Sequence, residues 1–169
     1  MTRPPARSRP ETPAAVELQL ATRAAALPRG SDLAGWAAAA GAGAGRTVTI
    51  RLVGWREGAR LNRHYRGKDG ATNVLAFRAA APMAGAELGD LVICLPLVLR
   101  EASEQGKAPR AHLAHLVGHG ILHLLGHEHD KPATARRMED REVRILRRLG
   151  FRDPYRPAPA TASRTRRRA

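Results

Sequence analysis

The chain has 169 residues, 43% of them hydrophobic, which suits one globular domain and argues against wholesale disorder. Lys and Arg outnumber Asp and Glu by 29 to 15, a net charge of +14, and all but three of the cations are Arg, so a polyanionic partner is expected, nucleic acid ahead of an anionic membrane. A single cysteine, Cys94, excludes an internal disulfide framework and a Cys-based zinc finger, while the lack of a long apolar run or an apolar N-terminal core makes a reducing cytoplasm the expected compartment.

Residues 1–13 read as a disordered basic leader and residues 156–169 as a disordered Arg-rich tail, both too poor in apolar side chains to offset the entropy of ordering. Residues 14–155 then form one compact unit. Within it, Val16–Leu20 alternates apolar and polar residues as a half-buried strand does. Gly30-Ser31-Asp32 offers a helix N-cap ahead of Leu33 and Trp36, and that helix runs out into the Gly/Ala stretch to Gly45. Val48–Val53 is a second alternating strand, Arg56–Tyr65 a short helix, and Gly67–Gly70 a turn. Asn73–Phe77 and Leu88–Leu95 are the third and fourth strands, and Leu97–Gln105 a helix stopped by Gly106. Pro109 opens a long helix reaching Leu125, where Gly126 ends it. Pro132 opens a last helix whose apolar stripe is Met138, Ile145, Leu146 and Leu149, closed by Gly150. The expected fold class is therefore α/β (α+β): a single domain with a small four-stranded mixed sheet and about five helices.

Six of the seven histidines fall between residues 112 and 129. His119 and His123 are four apart on the long predicted helix, so their rings share one face, one turn apart. Gly126 permits the left-handed conformation that turns the chain back, and His129 can then bring a third imidazole to the same ion. Three His ligands with an open fourth position form the arrangement of a catalytic zinc site, here at the end of the long central helix. His112 and His115 continue the same face and read as surface or supporting groups. His127 is a substitute ligand candidate, and His64 an exposed residue of a basic helix. The spacing also matches the HxxxHxxGxxH of zinc peptidases, but the position of their general-base Glu is occupied by Gly120, which disfavours peptide hydrolysis.

The segment His119-Gly120-Ile121-Leu122-His123-Leu124-Leu125-Gly126-His127-Glu128-His129 resembles the H-G-x-L-H-L-x-G-Y-D-H motif of the bacterial YbeY family of rRNA maturation factors. Leu61-Asn62-Arg63-His64-Tyr65-Arg66 with Asp69 and Thr72-Asn73-Val74-Leu75-Ala76-Phe77 resembles that family's L-N-x-x-Y-R…D-x-x-T-N-V-L-S-F block. Gly89-Asp90-Leu91-Val92-Ile93 resembles its G-D-I-x-I strand, and Leu149-Gly150-Phe151 its closing L-G-Y/F. The departures are Ala76 for Ser, Arg78 for Pro, and His127-Glu128 for Tyr-Asp. The resemblance spans about residues 14–152. It implies a zinc-dependent endoribonuclease acting on single-stranded RNA in late 16S rRNA 3′-end maturation and ribosome quality control. It also implies one Zn²⁺ per chain on His119, His123 and His129, and a functional arginine, Arg66, near the metal.

Read from its own surroundings, Arg66 opens a polar turn and is either a phosphate clamp or a solvated surface charge. The proton acceptor is left open among Glu128, Asp130, Asp90 and a metal-bound water alone. The expected partners are an rRNA precursor and ribosomal particles, with no membrane, held on Arg-rich segments in a salt-dependent way. Two competing readings are a non-catalytic ribosome-assembly factor with a structural, four-ligand metal site completed by His115 or His127, and the disfavoured zinc peptidase.

Overall fold

A computed structural model describes residues 15–23, 28–80 and 87–157. The basic leader and nearly all of the Arg-rich tail lie outside the described residues. Strands β1 (Ala15–Ala21), β2 (Thr47–Val53), β3 (Val74–Arg78) and β4 (Glu87–Cys94) form one sheet in the order β1-β2-β4-β3. β1 and β4 both run parallel to β2, and β3 is antiparallel to β4, so the sheet is mixed as expected. Five helices accompany it: α1 (Gly30–Ala39), α2 (Trp55–Arg66), α3 (Leu95–Glu104), α4 (Pro109–Leu124) and α5 (Pro132–Arg148). No helix among the described residues is long and apolar enough to cross a membrane.

Alternation along the strands divides the core in two. Leu91 and Ile93 of β4, with Val74 of β3, join the larger cluster, which includes Leu113, Val117 and Ile121 of α4 and Ile145 and Leu146 of α5. Val92 and Cys94, with Leu75, belong to the smaller cluster, against which Leu61 of α2 packs. α4 and α2 therefore cover opposite faces of the sheet. Burial raises the Cys94 thiol above its ordinary range, so it behaves as an inert core residue.

α4 lies close to the sheet because Gly120 has no side chain. A Cβ there would fall 2.6 Å from Leu91 Cδ2. The glycine that removes the peptidase glutamate thus has a packing role of its own. Gly89 is more constrained still: its φ is +132°, and a Cβ would come within 2.0 Å of the Phe77 carbonyl oxygen. It sits where the β2–β4 register shifts, from Thr47 opposite Glu87 to Val48 opposite Gly89.

The first helix begins one residue earlier than its Gly30-Ser31-Asp32 signal suggests. Arg29 occupies the N-cap, and Asp32, three residues on, accepts from the Arg29 amide at 3.4 Å. Asp32 also ties α1 to α4 through a two-pronged pair with Arg110, at 2.6 and 2.8 Å. α3 likewise starts early, at Leu95, because Pro96 is accommodated in a first helical turn, where no amide hydrogen is needed.

Candidate metal centre

α4 ends as its sequence dictates. Gly126 adopts φ +95°, its amide donates to the His123 carbonyl at 3.0 Å, and the His127 amide donates to the Leu122 carbonyl at 2.9 Å. This paired closure turns the chain sharply at the helix end and returns His129 over the last turn. His119, His123 and His129 each offer one ring nitrogen, and those three atoms lie within 4.8 Å of one another. The Nε2 atoms of His119 and His123 converge to 3.1 Å. Around a zinc ion with Zn–N bonds of about 2.0–2.1 Å, tetrahedral ligand nitrogens stand roughly 3.3 Å apart; the His119–His123 pair of this cup matches that spacing, and the triad as a whole is wider. Burial, then the neighbouring His119 and His129, push His123 down to about 4, leaving it a neutral imidazole, the form in which histidine can bind a metal. The donor set, three imidazoles grouped at one helix end, fits a divalent ion such as zinc.

The cup is braced from α5. Glu142 is only 2% exposed and shares the buried face of α5 with Met138, Ile145 and Leu146. Its Oε1 meets His119 Nδ1 at 2.6 Å, its Oε2 meets His115 Nε2 at 3.1 Å, and Oε2 also accepts the Tyr155 hydroxyl in a short contact. Burial works against the carboxylate charge, but the bonds from His115, His119 and Tyr155 outweigh it and hold Glu142 down at about 2. Burial, with Glu142 alongside, pushes the Tyr155 hydroxyl up, so it stays a protonated donor. With Nδ1 engaged by the carboxylate, His119 presents Nε2 to the cup.

Neither Glu142 nor Tyr155 is among the residues that the sequence singles out. A signal for Glu142 exists: it stands four residues after Met138 and three before Ile145, inside the inward stripe of α5. A carboxylate in an apolar stripe needs partners, and the histidines supply them.

The remaining histidines separate by role. His115 faces Glu142 instead of the cup. His112 is buried, its Nε2 2.8 Å from Glu101, whose carboxylate also accepts from Asn73. Burial, opposed by Glu101, lowers the affinity of His112 for a proton. His127 is half-buried next to the cup and is not one of its three converging groups. His64 is exposed against Tyr65, as expected.

Arg66 is the last residue of α2 and is exposed; among the described residues its side chain makes no hydrogen bond or ion pair. The turn after it is well built: Gly67 takes φ +65°, and the buried Asn62 amide donates to the carbonyls of Lys68 and Gly70 at 3.2 and 2.9 Å. Among the described residues Arg66 makes no hydrogen bond or stacking contact with the histidines. Its neighbour Tyr65 packs on Phe77, with ring centroids 4.7 Å apart, at the edge strand β3. One residue beyond Phe77, Arg78 donates to the His123 carbonyl at 3.1 Å and lies against Gly126. Arg78 therefore adds a positive charge at the C-terminus of α4, where the helix dipole favours one. Of the carboxylates, Glu128 and Asp130 are exposed on either side of His129, whereas Asp90 shares the α2 side of the sheet with Val92.

Fold and site together define an α/β domain with a three-histidine centre at the end of its central helix, backed by a buried glutamate. The family model described as Endoribonuclease YbeY matches residues 33–150. The chain is 51% identical to the protein named Endoribonuclease YbeY of Stenotrophomonas maltophilia (strain K279a), over 83% of this chain and 92% of that one. A protein of the same name from Nitrosococcus oceani is 46% identical over 83% of this chain and 95% of its own length. A solution structure of a Thermotoga maritima protein aligns with 22% identity and a TM-score of 0.49, over 83% of this chain and 99% of that one. This chain belongs to the YbeY endoribonuclease family.

Proposed function

We propose that this protein is a zinc-dependent endoribonuclease of single-stranded RNA, acting in the cytoplasm on rRNA precursors in late 16S 3′-end maturation and ribosome quality control. The observation that supports it most is the three-imidazole cup, in a chain whose relatives are named for RNA cleavage. His119, His123 and His129 would hold one zinc ion per chain. The chemistry supplied by that ion is Lewis acidity beside a phosphodiester, where negative charge builds in the transition state. Glu142 keeps His119 turned toward the ion, and Arg78 holds the His123 carbonyl, so two ligands are oriented before substrate arrives. Glu128 and Asp130, exposed beside His129, are the carboxylates in place to take a proton. Arg66 binds a phosphate oxygen, using a guanidinium that no carboxylate among the described residues occupies.

The engagement of His115 by Glu142 weighs against a closed four-ligand structural site, and Gly120 weighs against peptide hydrolysis. The test combines elemental analysis with single-turnover cleavage of a single-stranded RNA. The wild type is expected to hold about one zinc per chain, and His123→Ala to lose it. Arg66→Lys should keep zinc content and melting temperature but slow cleavage on the order of 100-fold, and Arg66→Glu should abolish it. Unchanged zinc in His123→Ala, or full activity in Arg66→Glu, would overturn the assignment.

A further inference from the structure

α4 carries His112, His115, His119 and His123 along one stripe, and the cup uses only the last two. The rings of the first two line a separate cleft of about 1060 Å³, bounded by the start of α4, the end of α5 and residues 150–157. Four cations open onto it, Lys107, Arg147, Arg152 and Arg156. Its single acid, Asp153, is already bound to the Tyr155 amide at 3.0 Å and to Arg156 at 3.6 Å. Leu146, Phe151 and Pro154 give it an apolar wall.

One further feature points to an anion. α4 begins at Pro109 behind Ala108, which has no side chain to cap it, and the first-turn amide of Ala111, a residue of the cleft lining, has no hydrogen-bond partner among the described residues. Cations and helix amides suit a phosphate, and the apolar wall suits a base. The eight residues from His115 to His123 span about 12 Å of helix, so one RNA strand can reach both cleft and cup.

We infer that this cleft is a second nucleotide subsite, which seats a nucleotide of the same RNA strand a few positions from the scissile phosphate, with its phosphate on Lys107, Arg147 and the first turn of α4. The inference rests on the reading of the protein as an RNA enzyme. Its test measures binding and not cleavage. Fluorescein-labelled oligouridylate is titrated with the full zinc-loaded chain across a salt series, using Lys107→Glu/Arg147→Glu and, as a control of equal charge change, Arg23→Glu/Arg46→Glu beside β1 and β2.

The cleft variant should bind about tenfold more weakly than the control, and its salt dependence should flatten by about 1.4 on a double-logarithmic plot, roughly 0.7 for each of two lost phosphate contacts. Uridine monophosphate should shift the Ala111 amide resonance of the wild type. If the charge reversal unfolds the cleft, Lys107→Gln/Arg147→Gln is compared with Arg23→Gln/Arg46→Gln in the same way. Equal losses in cleft and control variants, or an unshifted Ala111 amide, would overturn the subsite. A chain that binds through the cleft but cleaves no RNA would refute the nuclease reading alone.

Discussion

Replacing Glu142 by Gln tests whether the buried carboxylate orients the metal centre or merely fills the α4–α5 interface. Glu142 accepts from three donors: His119 Nδ1, His115 Nε2 and the Tyr155 hydroxyl. Gln has nearly the same shape, but one of its two terminal atoms becomes a donor. Whichever way the amide is turned, at least one partner meets a donor instead of an acceptor. Because the His119 contact is short, at 2.6 Å, losing its acceptor frees the ring to rotate or to shift its proton toward Nε2. Loss of such a supporting carboxylate typically weakens metal affinity by about 10–100-fold, which is about 1.4–2.7 kcal/mol. The assay is competition for zinc against a chromophoric chelator, paired with a thermal melt of the metal-free protein. Glu142→Gln should show the affinity loss, and Glu142→Ala a larger fall in melting temperature as well, since each buried donor left unsatisfied costs about 1–3 kcal/mol. Zinc affinity within twofold of wild type in the Gln variant, with a lowered metal-free melt, would show that Glu142 serves only the core.

Gly120→Ala should destabilise the domain by about 1–3 kcal/mol, measured by urea unfolding, because the new Cβ meets Leu91 at 2.6 and 3.0 Å and α4 must shift from β4; unchanged stability would mean that Leu91 swings clear at no cost. Asp32 is held below its ordinary value of 3.8, chiefly by the Arg110 hydrogen bond, so the stability from this pair is present above that pH and lost as pH falls through the lowered value. Asp32→Asn should therefore melt below wild type at pH 7, and the gap should close below pH 3.8; a gap independent of pH would assign the effect to packing.

Much that depends on near neighbours in the chain was legible before folding, apart from the exact starts of α1 and α3. Helical geometry alone puts His119 and His123 one turn apart, and Gly126 alone permits the reversal that brings His129 back, so the convergence of the three histidines could be read from residues 119–129. Pro109 and Pro132 mark helix starts, and Gly67, Gly106, Gly126 and Gly150 mark helix ends, for reasons of φ angle and missing amide hydrogens that need no tertiary contact. Strand alternation in Val48–Val53 likewise separates one side from the other without saying what covers each. The tertiary structure decided those partners. Glu142 reaches His119 across 23 residues because α5 packs back along α4, and only that pairing turns a charge in an apolar stripe from a defect into a brace. Arg78 finds the His123 carbonyl only because β3 forms the sheet edge beside the end of α4. Asp90 faces the α2 side because of its register on β4, whereas Glu128 and Asp130 stay beside His129. The physical reason is range: turns and helix faces follow from torsions within a few residues, while the groups that hold the ligands in place are chosen by which surfaces the core brings together.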